Sequence, residues 1–240
     1  MREIRVCLSP DLYHLYQDPE DLVIVVDILR ATSVICTAFE YGIKSVIPVS
    51  SISEARAYLH DDNYIVAAER NAKPIDEFIY GNSPFQYMNQ DIKGKSLVLT
   101  TTNGTNAINL AKKSQLIIGS YINLDALLNF ILNHTINNVL IFCSGWKGKV
   151  NMEDAIFAGS LSNKLMNSGN FSTKCDSLRI STHLSNLSEG NLYDFLKQSA
   201  HRNRLKNLSM ENDTKFCLNP SISSENVPMY AGERIKLIKY

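Results

Sequence analysis

Apolar positions along the chain fall into two alternating textures. Runs dominated by Val, Ile and Leu occupy residues 4–9, 21–29, 45–49 and 64–68, and recur as SLVLTT, QLIIG and NVLIFC. Runs that do not alternate with polar residues predict strands buried on both faces of a parallel sheet. Between them lie segments with helical spacing: ATSVICTAFEYG with Thr32 or Ser33 as N-cap and Gly42 as stop, SISEARAYLH behind Ser51 or Ser53, NGTNAINLAKK, LDALLNFILNH and MEDAIFAGSLSNKLMN. KPIDEFIYGNSP is irregular, with Pro84 opening a short helix after an Asn82 or Ser83 cap. The alternation predicts an α/β fold: a mostly parallel multi-strand sheet flanked by helices in three α/β/α layers.

After residue 168 the texture changes. SGNFSTKCDS reads as a polar loop and EGNLYDFLKQSAHRNRLKNL as a helix. TKFCLN and RIKLIKY read as short strands, an antiparallel pair at a sheet edge. This makes a smaller C-terminal α+β part of one unit spanning 1–240, with a two-lobe division near residue 120 as the alternative; no linker marks it.

Composition narrows the function classes. Lysine plus arginine equals aspartate plus glutamate, 24 against 24, so no bulk field draws the chain to nucleic acid or to acidic lipid, and any anion site must be local. Five scattered cysteines without a CxxC pair point to free thiols in a reducing cytoplasm. The N-terminal stretch lacks an apolar signal segment, and no apolar run approaches the roughly 18 residues of a membrane helix. The expectation is a cytoplasmic protein with no nucleic-acid or membrane partner, and a homodimer on base rates alone.

The candidate chemistry sits where the apolar runs end. VIVVDILRATS ends on Asp27, Arg30, Thr32 and Ser33; VAAERN on Glu69 and Arg70; LVLTTTNGT on Thr101, Thr102, Asn103, Gly104 and Thr105; LIFCSGWKG on Ser144 and Gly145. In open α/β sheets ligands bind at the C-terminal edge, so these turns predict one site. The TTTNGT turn into a helix suits an oxyanion, through helix N-terminal amides and a Gly that permits close approach. It is neither a Walker loop nor GxGxxG, so no nucleotide is implied. Glu153 and Asp154 open the helix after CSGWKGKVN; either one joining Asp27 and Glu69 would form an oxygen-only cage for Mg²⁺. Each feature also has an ordinary reading. Asp27 would pair with Arg30, Glu69–Arg70 would be a surface ion pair, TTTNGT a capped turn, and Glu153 and Asp154 helix-dipole charges. A haloacid-dehalogenase nucleophile pair is disfavoured because Leu29 stands where the second Asp belongs. Cys143 has Lys149, not Arg, six residues on, so a buried structural thiol is the better reading. His201, flanked by Arg202 and Arg204, reads as part of a helix surface.

Taken in order, VVDILRATS, AER, GNSP, TTTNGT, CSG and EDxxFAG resemble the 2-phosphosulfolactate phosphatase family, densely over residues 4–165 and more weakly through SAHRNRL and FCLNP. The resemblance implies an α/β enzyme, a phosphoric monoester hydrolase that uses Mg²⁺ to hydrolyse 2-phospho-3-sulfolactate to sulfolactate and phosphate, a step of coenzyme M biosynthesis. Its partner is then a small anionic phosphoester. The expected metal ligands are Asp27, Glu69, Glu153 and Asp154. Asp27, Arg30, Glu69, Arg70 and Asp154 are the expected catalytic set. Arg30 and the 101–105 turn would hold phosphoryl oxygens, with Thr32, Ser33, Ser144 and Gly145 beside them, and Arg70 with Asn82 and Ser83 would receive the sulfonate or carboxylate. A catalytically silent small-anion-binding regulator on the same fold is the alternative, and it predicts binding without turnover.

Overall fold

The computed structural model describes residues 1–238; the last two residues of the expected RIKLIKY strand lie outside the described residues. The apolar runs form the predicted strands: β1 (Arg2–Cys7), β2 (Asp21–Val26), β3 (Ser45–Pro48), β4 (Tyr64–Arg70), β6 (Ser96–Thr100), β7 (Gln115–Gly119) and β8 (Asn138–Cys143). Short pieces β5 (Lys73–Pro74) and β9 (Phe171–Ser172) and a C-terminal pair, β10 (Pro228–Ala231) and β11 (Arg234–Leu237), complete the set. These eleven described strands make one sheet in the order β5-β4-β6-β3-β11-β10-β7-β2-β8-β1-β9.

The sheet is mixed, which corrects the expectation of a mostly parallel one. Two parallel blocks exist: β9-β1-β8-β2-β7 and β4-β6-β3. The antiparallel β10–β11 hairpin sits between them, with Met229 opposite Ile117 of β7 and Ile235 opposite Val46 of β3. The C-terminal pair is therefore central, not at an edge. The physical reason is that β3 and β7 each end a parallel block and would present unpaired backbone groups, which the hairpin satisfies from both sides. Its short, Lys- and Arg-bearing sequence carries no trace of this, because only Ile235 of β11 is fully buried.

Side chains alternate across the strands as the pleat requires. Val23 and Val25 of β2, Leu140 and Phe142 of β8, Leu97 and Leu99 of β6 and Ile65 of β4 face one side, where α1 (Ala31–Glu40) and α3 (Gly104–Ala111) pack against both blocks. On the opposite side Leu22, Ile24 and Val26 of β2 meet α4 (Leu124–Asn133) and α5 (Met152–Asn167), while Val66 and Val98 meet α2 (Ile52–Arg56). α1 is buried from Ala31 to Phe39, and its three hydroxyl residues in that span, Thr32, Ser33 and Thr37, are each hydrogen-bonded to the backbone. At Gly159 of α5 a Cβ would lie 2.0 Å from the Ser181 carbonyl oxygen, so only Gly lets α6 (Asp176–Leu187) seat there.

The C-terminal third departs from expectation in two further places. The predicted long helix is broken into α7 (Leu192–Phe195) and α8 (Ala200–Asn207), because Ser199 turns the chain and caps α8 by accepting from the Arg202 N–H. TKFCLN is not a strand; it completes α9 (Glu211–Cys217) and its exit, with Cys217 fully buried in the core. Among the described residues no helix is long and apolar enough to cross a membrane.

The central position of the hairpin has a measurable consequence. Ile235→Ala should cost about 2–5 kcal/mol, as for any fully buried Ile, and lower the melting temperature by several degrees. A loss under about 1 kcal/mol in denaturant titration would return the pair to an edge.

Candidate active site

The turns that end β2, β4, β6 and β8 converge through direct bonds. Asp27 follows β2 directly, and its backbone N–H donates to Thr32 Oγ1 at 3.0 Å. Thr32 therefore does not cap α1 through its side chain. The helix instead begins at Ala31, whose N–H faces the Asp27 carboxylate. From β6 the chain turns at Thr101, and Gly104 opens α3 hard against the same carboxylate. A Cβ on Gly104 would stand 2.5 Å from Asp27 Oδ2 and 2.4 Å from the Ala31 Cβ. Thus the starts of two helices meet at Asp27, and the second needs Gly for the approach.

Glu69 lies one residue before the end of β4, and it is buried, unlike a surface ion-pair residue. It accepts from the Ala72 N–H and, at 3.2 Å, from Thr102 Oγ1. The Ala72 N–H is brought round by a two-residue turn in which Asn71 and Ala72 both have positive φ, 56° and 66°. Arg70 does not pair with an acid: it donates to the Glu69 carbonyl at 2.7 Å and to Thr100 Oγ1 at 2.9 Å. It lines a 230 Å³ polar cavity with Thr101, Thr102, Thr105 and Asn106.

Asp154 pins the ends of β2 and β8 together. One carboxylate oxygen accepts from the Ile28 N–H at 2.9 Å, the other from Ser144 Oγ and the Gly145 N–H, both at 3.2 Å. Glu153, fully buried, accepts from His201 Nδ1 at 2.5 Å and from Ser199 Oγ at 3.4 Å. His201 is thus buried against an acid, which corrects its reading as a surface residue.

The four acids lie within electrostatic reach of one another. Burial, then the charges of Asp154, Glu69 and Glu153 in that order, hold the Asp27 carboxyl well above the usual carboxylate range. Burial, then the neighbouring Glu153, pushes Asp154 up to about 7. Cys143 is also raised by burial, which removes it as a thiolate nucleophile. As they stand the acids do not close into the expected cage. Among the described residues no three Asp, Glu, His or Cys side chains gather as a ready metal site, since Glu153 and Asp154 are turned to His201 and to the β2 and β8 turns.

The remaining expected site residues divide by role. Thr101 and Thr105 cap each other, Thr101 Oγ1 accepting from the Thr105 N–H at 3.1 Å and Thr105 Oγ1 from the Thr101 N–H at 3.0 Å. Asn103 accepts from the Lys147 N–H, and Ser33 lies fully buried against Ser120. Arg30, which sequence alone would pair with Asp27, is instead ion-paired to Asp213 of α9, and Ser83 donates to the same carboxylate at 2.9 Å. Asn82 and Ser83 line a 310 Å³ cavity with Arg30 and Asp213, and Asn82 Oδ1 is buried there without a partner.

Three residues that sequence reasoning did not place at the site belong to it: His201, Asp213 and Arg204. Burial lowers the Arg204 guanidinium's proton affinity, and the charges of Glu69, Arg30, Glu153 and Asp27 all reach it. The available signal was the i, i+3 spacing of His201 and Arg204, which sets both on one face of α8.

The Arg30–Asp213 pair is nearly dry. Removing one partner from such a pair strands a buried charge, so Asp213→Ala should cost about 3–5 kcal/mol, while Ser83→Ala should cost about 1 kcal/mol. Chemical denaturation of both variants checks this. Gly104→Ala should lose more than a hundredfold in any activity that uses Asp27, about 2.7 kcal/mol at the site, and the buried overlap with Ala31 should also cost about 1–3 kcal/mol of stability.

Comparison with known proteins gives the family. The profile of the 2-phosphosulpholactate phosphatase family matches residues 7–233. A "Probable 2-phosphosulfolactate phosphatase" of Caldanaerobacter subterraneus subsp. tengcongensis is 38% identical over 203 residues, 83% of each chain. One from Clostridium novyi is 35% identical, over 83% of this chain and 85% of the relative. One from Thermotoga maritima is 35% identical, over 81% and 82%. On sequence and on the order of its site turns, the chain belongs to the 2-phosphosulfolactate phosphatase family.

Proposed function

We propose that this protein is a divalent-cation-dependent phosphatase that hydrolyses the phosphate monoester of 2-phospho-3-sulfolactate, or of a similar phospho-hydroxyacid, to the hydroxyacid and phosphate. The observation that carries it is the burial of Asp27 among Glu69, Glu153 and Asp154 at the meeting of two helix starts. A pure anion binder would be hindered by four negative groups. A phosphatase that recruits a cation needs them.

The donor set fits a hard cation. All the candidate ligands are carboxylate oxygens, and Asp27 is repelled by three neighbours, a penalty that a divalent charge would relieve. Mg²⁺ typically takes only one or two protein carboxylates and completes its shell with waters and substrate phosphate. Asp27 and Glu69 would hold it, with Asp154 and Glu153 orienting the turns and His201 around them. Bound there, the cation supplies Lewis-acid polarisation of the phosphoryl oxygens.

The chain's own groups do the rest. Asp27 faces the phosphorus, either taking the proton of the attacking water or attacking itself; solvent ¹⁸O incorporation and phosphoenzyme trapping separate the two. Glu153 engages His201 at Nδ1, which leaves Nε2 to hand a proton to the departing alkoxide. Arg70, in its polar cavity, receives the sulfonate or carboxylate.

The decisive assay is phosphate release from phosphosulfolactate and a panel of phospho-hydroxyacids, with Mg²⁺ and with chelator. Asp27→Asn should lower kcat at least a thousandfold, about 4 kcal/mol of barrier. Full activity in chelator removes the cation, and near-normal turnover by Asp27→Asn removes the centre.

A second outcome follows from linkage. The folded-state pKa of Asp154 lies above its ordinary value, so the native protein binds the extra proton and its stability falls as pH rises from about 4 to about 7. Chelator-treated protein should therefore melt lower at pH 7.5 than at pH 5, and Mg²⁺ should raise the melting temperature more at pH 7.5. A Mg²⁺ shift independent of pH would contradict a cation among these acids.

A further inference from the structure

The basic residues at the site are not equally free. Arg30 is neutralised by Asp213, and Arg70 is tied to the Glu69 carbonyl and to Thr100. Arg204 is half-buried, and it has no hydrogen bond or ion pair with any other described residue. Its Nε is buried without a partner. What holds it is an aromatic face: the guanidinium carbon lies 4.6 Å over the Trp146 ring.

Trp146 is itself firmly placed. It belongs to a tight hairpin in which its N–H donates to the Lys149 carbonyl at 2.8 Å and the Lys149 N–H donates back at 3.0 Å. Lys147 and Gly148 turn the corner with positive φ, 50° and 73°. The Lys147 N–H is fastened to Asn103 at the start of α3, and Ser9 donates to the Gly148 carbonyl. Lys147 lies over the same ring, its Nζ 5.3 Å from the centroid. The indole is thus a fixed platform carried by the turn that also supplies Ser144 and Gly145 to Asp154.

A guanidinium stacked on a ring has its position set by the ring while its in-plane N–H groups remain available at the edge. That fork matches two oxygens of a phosphate. Arg204 lies one helical turn beyond His201, which bonds Glu153, and its Trp146 platform directly follows the Ser144–Gly145 turn that holds Asp154, so the guanidinium borders the buried acids.

We propose that Arg204, positioned by stacking on Trp146, is a catalytic residue that binds the phosphoryl group itself, and that Trp146 is its positioning residue. This rests on the phosphatase reading. It adds the cationic donor that lets a dianionic ester sit beside four carboxylates, in a place that sequence assigns to a helix surface.

The test pairs kinetics with a binding readout that does not depend on turnover. Inorganic phosphate binding is measured by calorimetry, in the presence of Mg²⁺, on the full chain, on Arg204→Gln, Arg204→Lys, Trp146→Leu and Trp146→Phe. Phosphate release is followed with phosphosulfolactate and with phospholactate, which lacks the sulfonate. We expect Arg204→Gln to weaken phosphate binding at least tenfold and to lower kcat/KM by 10²- to 10³-fold, equally on both substrates. Arg204→Lys should recover only part of this. Trp146→Leu should cost about tenfold, and Trp146→Phe, which keeps a ring, much less.

A loss confined to phosphosulfolactate would overturn the proposal in favour of a sulfonate contact. Unchanged phosphate affinity in Arg204→Gln would overturn it outright. If Arg204→Gln fails to fold, Arg204→Lys decides by the same two readouts. Phosphate binding that depends on Arg204 in a chain with no turnover on any ester would instead sink the phosphatase reading and leave the oxyanion contact standing.

Discussion

Keeping several negative charges dry and adjacent is the constraint on which this site is built. An isolated buried carboxylate is expensive, and four in mutual reach raise one another's proton affinity. The fold meets this cost with donors fixed by turn geometry and, at Glu153, with a buried histidine. Asp154 takes N–H groups from the turns after β2 and β8, Glu69 takes the Ala72 N–H from a left-handed turn, and Glu153 takes His201. Asp27 is left with the N–H of Ala31 and the close approach of Gly104. It is the least compensated of the four.

The same contacts that satisfy the acids also hold the architecture. Asp154 ties neighbouring strand ends, and Thr102 reaches from the β6 turn to Glu69, so the turns cannot move independently of the carboxylates. Asp213 extends this outward, joining Arg30 at the start of α1 to Ser83 in the loop before β6. The C-terminal third is therefore not an appendage. Its hairpin completes the centre of the sheet, and its helices α8 and α9 deliver His201, Arg204 and Asp213 to one region.

Where sequence reasoning met the structure, it succeeded for groups whose placement is local. Asp27 and Glu69 lie at the ends of unmistakable apolar strands, although the three antiparallel ladders through the hairpin make those two strands run in opposite directions, so it is the turns and helix starts around them that bring the two acids together. The hydroxyls serve their own turns for an equally physical reason. Thr101, Thr105 and Thr32 sit beside unpaired backbone N–H groups, and a short hydroxyl side chain satisfies its own turn before it reaches a ligand. Arg30 could have paired with an acid three residues away. It paired with one 183 residues away, because α9 packs over it and excludes water.

The sequence by itself determined the α/β alternation, the burial of the parallel strands on both faces and the identity of the acids at their ends, since these follow from apolar periodicity and from turn chemistry read over a few residues. Only the tertiary structure decided that the β10–β11 hairpin enters the middle of the sheet, that Glu153 and Asp154 face separate partners, and that His201 and Arg204 turn inward. Those outcomes depend on which unpaired strand edge or buried charge finds a partner far along the chain, and a short, charged segment carries no local record of the surface that will cover it.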